Sequence, residues 1–274
     1  MYEVTFLFVL AGIYTLIASI QDLKKREVDD WLSFSLIIFA LGFRFFYCLF
    51  ENGSFSFFYQ GLIGLGMFFV IGNLLYYSHF FAGGDAKLMI ALGTILPIYD
   101  SFRNNLYIFM IFFLIFLFAG LFYTLFFSIF LAVKNKNEFK KEFASSIRKD
   151  RKIAYLGLVI GLIFIAGGFV LDSILFYPGI LFVILPYIYV FSKSIEKVSM
   201  IKRIDAKNLQ EGDWLYKDVK VGKKNIIVKW DGLSKEEIKL LRKYKKKVLI
   251  KQGIPFVPVF FISFWVLIWW IFYK

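Results

Sequence analysis

The 274-residue chain has one cysteine, Cys48, one histidine, His79, and five prolines. A lone cysteine excludes an intrachain disulfide, and one cysteine with one histidine cannot assemble a Cys/His zinc cluster. No Pro- or Ser-rich linker breaks the chain, and no repeat of solenoid period is evident. Charged residues are scarce as well, at 19% of the total, and acids are outnumbered 20 to 33 by lysine and arginine. What replaces them is apolar: 59% of residues are hydrophobic and 22% aromatic, with 37 phenylalanines. That balance lies outside the range of soluble domains.

The apolar residues arrive in blocks of about 20, the length that spans the hydrocarbon core of a bilayer. Spans are expected near 3–20, 31–50, 57–78, 86–99, 104–133, 153–171, 174–192 and 254–273. The fourth is short, and the sixth and seventh are separated only by "LDSILFYPG", where Asp172, Pro178 and Gly179 suggest a tight turn or a re-entrant hairpin. The expected fold is therefore an α-helical polytopic membrane protein of six to eight transmembrane helices. The first span lacks a basic n-region and a small-x-small cleavage site, so it is expected to remain as an anchor helix.

A net charge of +13 invites a nucleic-acid reading, and the placement of the charge argues against it. With the amino terminus outside and eight crossings, the inner side receives the basic residues at 24–26, Lys87, eight in 134–152 and eighteen in 193–251. These are 30 of the 33 lysines and arginines, leaving Arg44, Arg103 and Lys274 elsewhere. The positive-inside rule accounts for this distribution, with attraction to anionic membrane lipid as a by-product. No nucleic-acid-binding motif accompanies it, so no nucleic acid is expected as partner.

Composition shifts after Phe191. Residues 193–253 are expected to form a small α+β cytoplasmic domain before the last helix, leaving 1–192 as the membrane-embedded domain and 254–274 as a carboxy-terminal transmembrane helix. "DVKVGKKNIIVKW" alternates Val219 and Val221, turns through 222–225 and alternates Ile226, Val228 and Trp230, as a β-hairpin does. "LSKEEIKLLRKYKKK" carries Ser234 with Glu237 three residues on, a capping box, and an apolar stripe of Ile238, Leu241, Tyr244 and Val248. "KNKNEFKKEFASSIRKDRK" is either a surface-lying helix with Phe139 and Phe143 on one side or a solvated basic loop.

Against this background the stretch "HFFAGGDAKLMIALG", residues 79–93, places an aspartate and two glycines at the mouth of an apolar helix. Asp85 would cap a helix beginning at Ala86. Asp22, at the inner end of the first span, would be an interface charge, although an acid at a helix carboxy terminus faces the unfavourable end of the dipole. In the topology above, both carboxylates reach the same membrane face. Two aspartates close together in a partly dry site cannot both ionise cheaply, which leaves one acid and one base at neutral pH. That division suits peptide hydrolysis, and it requires no metal and no cofactor. Glycines before the second aspartate let a peptide backbone approach closely.

"AGGDAKLMIALG" resembles the G-x-G-D motif of the GxGD aspartyl proteases, and "SIQDLKKREVDDWLS" resembles the first-helix aspartate segment of the type IV prepilin peptidase family. "IKQGIPFVPVFF" is similar to the carboxy-terminal part of its archaeal branch, the preflagellin and prepilin peptidases. Ala82 stands where the motif has its first glycine. The resemblance implies that Asp22 and Asp85 are catalytic, with Gly83, Gly84 and Lys87 in support, and that short class III leaders are removed from preflagellin or prepilin-like precursors at the cytoplasmic face. It does not imply the methyltransferase activity of the larger bacterial branch, whose cysteine motif is missing here.

Other polar residues carry two readings each. Glu27, Asp29 and Asp30 would attract the basic residues of a leader, or form a solvated face. Lys87 would meet the acidic pair or snorkel to the interface. His79 lies near the site as a structural interfacial residue. Two alternatives stand beside the leader peptidase: an intramembrane-cleaving protease of presenilin type, and a transporter that uses both aspartates for protons or ions. The interfacial level of the pair favours the first reading.

Overall fold

The computed structural model describes residues 2–50, 54–222, 224–230 and 232–273. In chain order these form α1 (Tyr2–Lys25), α2 (Asp30–Phe50), α3 (Ser56–Tyr77), α4 (Gly83–Leu92), α5 (Phe102–Lys134), α6 (Lys136–Lys149), α7 (Arg151–Val170) and α8 (Phe176–Ile195). They continue with β1 (Ile201–Asp205), β2 (Trp214–Leu215), β3 (Val219–Val221), β4 (Lys224–Ile226), α9 (Lys235–Lys243), β5 (Lys247–Lys251) and α10 (Pro258–Tyr273). Among the described residues, six segments are long and apolar enough to cross a membrane, and α10 is a shorter apolar helix. Large side chains such as Phe39, Phe69 and Phe122 stay exposed on the long helices, as bilayer-facing surfaces require. The chain is thus a polytopic helical membrane protein, as expected. It divides into two compact units, residues up to Thr124 with Pro255 onward, and Leu125–Ile254.

The first unit holds both aspartates. Its core interleaves Leu7, Phe8 and Ala11 of α1 with Phe260, Phe264 and Leu267 of α10, and Leu32 and Leu36 of α2 with Leu88 and Met89 of α4. The fourth expected span, 86–99, is helical only as far as Leu92. Ten residues at about 1.5 Å each reach only half the thickness of a hydrocarbon core. The remainder is completed by non-helical chain running antiparallel to α3. Near one end of α3, Gly72 faces the Ala86 carbonyl and Ile90, while further along Gly64 faces the Gly93 carbonyl and Pro97. At the far end the Ser56 hydroxyl donates to the Asp100 carbonyl at 3.0 Å. A Cβ at Gly64 would sit 2.1 Å from the Gly93 oxygen, and one at Gly93 would sit 2.5 Å from Phe68 Cβ. Glycine is what permits this backbone-to-backbone approach.

Non-helical backbone at membrane depth needs partners for its carbonyls. Arg44 of α2, fully buried, provides them. Its guanidinium donates to Thr94 O (2.9 Å), Phe57 O (2.8 Å), Ile95 O (3.3 Å) and Pro97 O, and lies 4.2 Å from the Phe57 ring centroid. Asn105 of α5 secures the following residues, accepting at Oδ1 from Ile98 N (3.0 Å) and Tyr99 N (2.9 Å) and donating to Gln60 Oε1 (2.9 Å).

In the second unit α7 and α8 form a close hairpin, with Gly157 against Pro186 and Gly161 against Val183 and the Gly179 carbonyl. The expected turn at "LDSILFYPG" is a 3-10 turn, Ser173–Leu175, whose Ile174 N–H donates to Asp172 Oδ1 at 2.9 Å. Pro178 and Gly179 lie inside α8 instead, where a first-turn proline loses no helical hydrogen bond. The segment after Asn135 is helical as α6, with Phe139 and Phe143 stacked 5.6 Å apart.

Three antiparallel strands form a sheet in the order β1-β5-β2, and β3 pairs with β4. Val219 faces Ile226 and Val221 faces Lys224, with Gly222 following β3 at φ +60°. The expected turn over 222–225 was too wide, and Val228 and Trp230 lie beyond the paired strand; Trp230 stacks on Trp214 at 5.0 Å. Helix α9 has the expected cap, Glu237 N to Ser234 Oγ at 3.3 Å and Ser234 N to Glu237 Oε2 at 2.9 Å. Ile238 and Leu241 are buried, but Tyr244 caps the helix half-exposed, and Val248 belongs to β5 because the chain turns at Lys245, φ +48°.

Arg44→Met is expected to destabilise the protein by roughly 3 kcal/mol or more, because several buried carbonyls lose a charged donor. In detergent this corresponds to a fall of about 6–12 °C in Tm. Arg44→Lys is expected to recover only part of it, since a single ammonium cannot reproduce the planar fork. Thermal unfolding of the three proteins checks both statements.

Candidate active site

Along α1 the small and polar residues Ala11, Thr15, Ser19 and Asp22 fall on one buried side. The hydroxyls of Thr15 and Ser19 bond back to Ala11 O and Thr15 O, both at 2.7 Å, so that face carries no orphan hydroxyl. α1 continues through Lys25 and stops at Arg26, which adopts φ +62° while its N–H bonds to Asp22 O at 2.9 Å. The Asp22 carboxylate, on the last turns of α1, is 7% exposed. Its Oδ2 accepts a hydrogen bond from the backbone N–H of Val257 at 2.9 Å, one residue before α10. The unfavourable position of an acid at a helix carboxy terminus is thereby offset by the amino-terminal end of another helix.

Asp85 lies on the first turn of α4, which starts at Gly83 rather than Ala86. It is the third helical residue, and its Oδ2 accepts from Ala82 N at 3.3 Å. The helix-start role and the buried, pairing role thus coexist in one side chain, which is 9% exposed. Asp22 and Asp85 are near enough to interact electrostatically, so the structure brings together the two residues singled out in the sequence. Ala82 sits at φ −72°, ψ 163°, ordinary extended backbone, so alanine in place of the motif's first glycine imposes no strain.

The residues after α1 fold over this pair. Gln21 Nε2 donates to Asp29 Oδ2 at 3.0 Å and Gln21 Oε1 accepts from Asp29 N at 3.1 Å, which turns Val28 inward against Gly84. Lys87 Nζ bonds to Asp30 Oδ1 at 2.5 Å, joining the start of α2 to α4. Lys87 therefore pairs with Asp30 and not with the buried acids. Of the three surface acids, Asp29 and Asp30 are engaged within the fold, and Glu27 is exposed. His79 occupies the turn after α3 at φ +64°.

Several contributors were missed in the sequence. Phe81, four residues before Asp85, packs against Phe116, Phe256 and Phe260 with ring centroids 5.9, 6.2 and 5.9 Å away. Tyr123 lies within electrostatic reach of Asp22 and Arg26. The only signal for the Val257 contact was the peptide "IPFVP", whose two prolines flank it. A backbone donor leaves no trace in residue identity.

Two aspartates from two helices of a polytopic membrane protein are thus buried within electrostatic reach of each other. Residues 8–132, which carry both aspartates, match the type IV leader peptidase family. This bears out the resemblance noted in the sequence. Among individual proteins, the chain is similar to preflagellin peptidases of Methanocaldococcus jannaschii (34% identity over 93 residues, 34% of this chain and 39% of the relative) and Methanococcus maripaludis (27% over 93 residues, 34% and 40%). A third, from Methanococcus voltae, is 31% identical over 84 residues, 31% of this chain and 35% of the relative. The similarity thus spans about two fifths of the length of these relatives. No solved structure matches the chain.

Gly83 and Gly84 have ordinary φ values, and a Cβ on either would meet nothing nearer than 3.9 Å (Tyr76) and 3.4 Å (Val28). Their missing side chains therefore do not serve the packing of this state. Gly84→Ala is expected to change Tm by less than about 2 °C, whereas Gly64→Ala, driven into the Gly93 carbonyl, is expected to lower it by roughly 5 °C or more. Equal losses in a thermal unfolding comparison would show that packing fixes Gly84.

Proposed function

We propose that the protein is a membrane aspartyl endopeptidase that removes the short class III leader from preflagellins or type IV prepilin-like precursors. The observation that carries this reading is the burial of Asp22 and Asp85 together, each with one carboxylate oxygen held by a backbone amide. The family matched over 8–132 is a leader peptidase family, and the similar proteins are named preflagellin peptidases, which supports preflagellin as substrate.

In the proposed reaction the ionised member of the pair takes a proton from water as the water oxygen attacks the scissile carbonyl carbon. The protonated member donates its proton to the carbonyl oxygen. As the tetrahedral diol collapses, the carboxyl that took the water's proton gives it to the leaving nitrogen while a diol hydroxyl returns a proton to the other carboxylate, so that the C–N bond breaks and the pair again holds one proton. The pair titrates as a unit, so the roles of acid and base belong to the site and not permanently to either residue. Gly83 and Gly84 let a substrate backbone approach closely, and Glu27, exposed like Asp30 but outside the Lys87 ion pair, is the candidate to meet basic leader residues.

The distribution of lysine and arginine supports placing the site at the cytoplasmic face, with the amino terminus outside and residues 193–253 as a cytoplasmic α+β domain before the last helix. Leaders of this class carry their basic segment on that side, so the bond to be cut and the proposed catalytic pair share one level of the membrane. An intramembrane-cleaving protease or a proton-coupled transporter would hold its acids nearer the midplane.

Asp22→Asn and Asp85→Asn are each expected to reduce precursor cleavage by roughly 10³-fold or more while leaving membrane insertion intact. The wild-type profile of kcat against pH is expected to be bell-shaped, as one shared proton requires. Incubating membranes that contain each protein with a preflagellin, and separately with a prepilin, and following the mobility shift by immunoblot checks the first statement. Full cleavage by either Asn variant would remove that residue from the mechanism.

A further inference from the structure

The residues at the start of α10 bond to one aspartate and pack against the chain that leads into the other. Val257 is 2% exposed, and its N–H lies at a helix start, where the first amides have no intrahelical acceptor. Pro258 has no N–H to offer, Val259 N bonds to Phe256 O at 3.0 Å and Phe260 N to Val257 O at 2.9 Å. The Val257 amide is thus a buried donor whose acceptor is Asp22 Oδ2, at 2.9 Å. The neighbouring Phe256 N–H also lies within electrostatic reach of that carboxylate.

The same residues grip the chain that leads into Asp85. Phe256 and Phe260 stand 6.2 and 5.9 Å from Phe81 between ring centroids, and Phe116 of α5 closes the group at 5.7 Å from Phe256 and 4.7 Å from Phe260. Gly120 keeps Phe256 seated, since a Cβ there would come within 3.1 Å of Phe256 Cζ. From Phe81 the backbone passes through Ala82, whose N–H is bonded by Asp85.

We propose that Pro255–Phe260 is the positioning element of the active site: its Val257 N–H holds Asp22, its phenylalanines hold the approach to Asp85, and one piece of backbone sets the spacing of the two carboxylates. This rests on the catalytic reading of the pair. The segment lies outside residues 8–132, so it belongs to the site through geometry and not through the family match.

The test is a backbone substitution. α-Hydroxyvaline placed at 257 by nonsense suppression replaces the N–H with an ester oxygen and keeps the side chain, while Val257→Ala keeps the N–H and trims the side chain. With a purified precursor, the ester protein is expected to lose about 30-fold in kcat with KM within about threefold, because a misplaced carboxylate slows chemistry and not binding. Its kcat–pH profile is expected to move, since a hydrogen bond to the ionised form favours that form. Val257→Ala, which keeps the N–H, is expected to leave the profile unmoved whatever its lost packing costs in kcat.

Should the ester protein fail to fold, Phe256→Ala is measured in its place, with about a tenfold loss in kcat and a moved profile expected, and Phe256→Leu restoring both. A folded ester protein, or Phe256→Ala in its place, with wild-type kcat and profile overturns the positioning role provided Asp22→Asn is inactive in the same assay. An active Asp22→Asn overturns the catalytic reading instead.

Discussion

The first unit depends on a cation buried where cations are expensive. Arg44 gives its guanidinium to four backbone carbonyls, and those bonds allow residues 93–99 to leave the helical path at membrane depth. Ionisable residues in membrane spans are functional candidates by default, and this one acts through architecture. Had the chain continued as regular helix through residue 99, α4 would run for 17 residues instead of ten. Because it is short, its amino-terminal turn is set by the glycine contacts with α3, and Asp85 comes to rest beside α1. The arginine is thus remote from the carboxylates and still determines where one of them stands.

The two aspartates reach the site under opposite local conditions. Asp85 occupies the amino-terminal turn of α4, where exposed amides and the helix dipole favour a carboxylate. Asp22 occupies the carboxy-terminal part of α1, where both are unfavourable, and it draws its amide from a different helix. One acid is therefore supported by residues adjacent in sequence, and the other only by tertiary structure. The two differ in what sustains them even before any substrate arrives.

Much of this was legible in the sequence, and the exceptions share a cause. Apolar blocks marked the long helices to within a few residues, the Ser234–Glu237 spacing marked the cap of α9, and the G-G-D stretch together with Asp22 marked the pair. Each depends on side-chain identity within a short window. The turn into "IPFVP" and the break after Leu92 depend on bonds between backbone groups and side chains distant in sequence, which composition does not encode. Val248 was assigned to a helical stripe because its spacing fits a helix as well as a strand. Arg44 was visible as an exception to the charge bias, without any sign of what it held. Asp30 and Lys87 were each noticed, 57 residues apart, and nothing local foretold that they pair.

The Asp22–Val257 hydrogen bond joins residues 235 positions apart. At about 5–20 residues per second of synthesis, roughly ten to fifty seconds separate the two partners' emergence. During that interval α1 is already in the membrane with its carboxylate lacking the amide it will later use. If the proposed positioning role holds, a nascent or prematurely terminated chain carries both aspartates and yet is inert. The chain's own length then acts as a delay, and hydrolytic competence begins only once its final helix has docked.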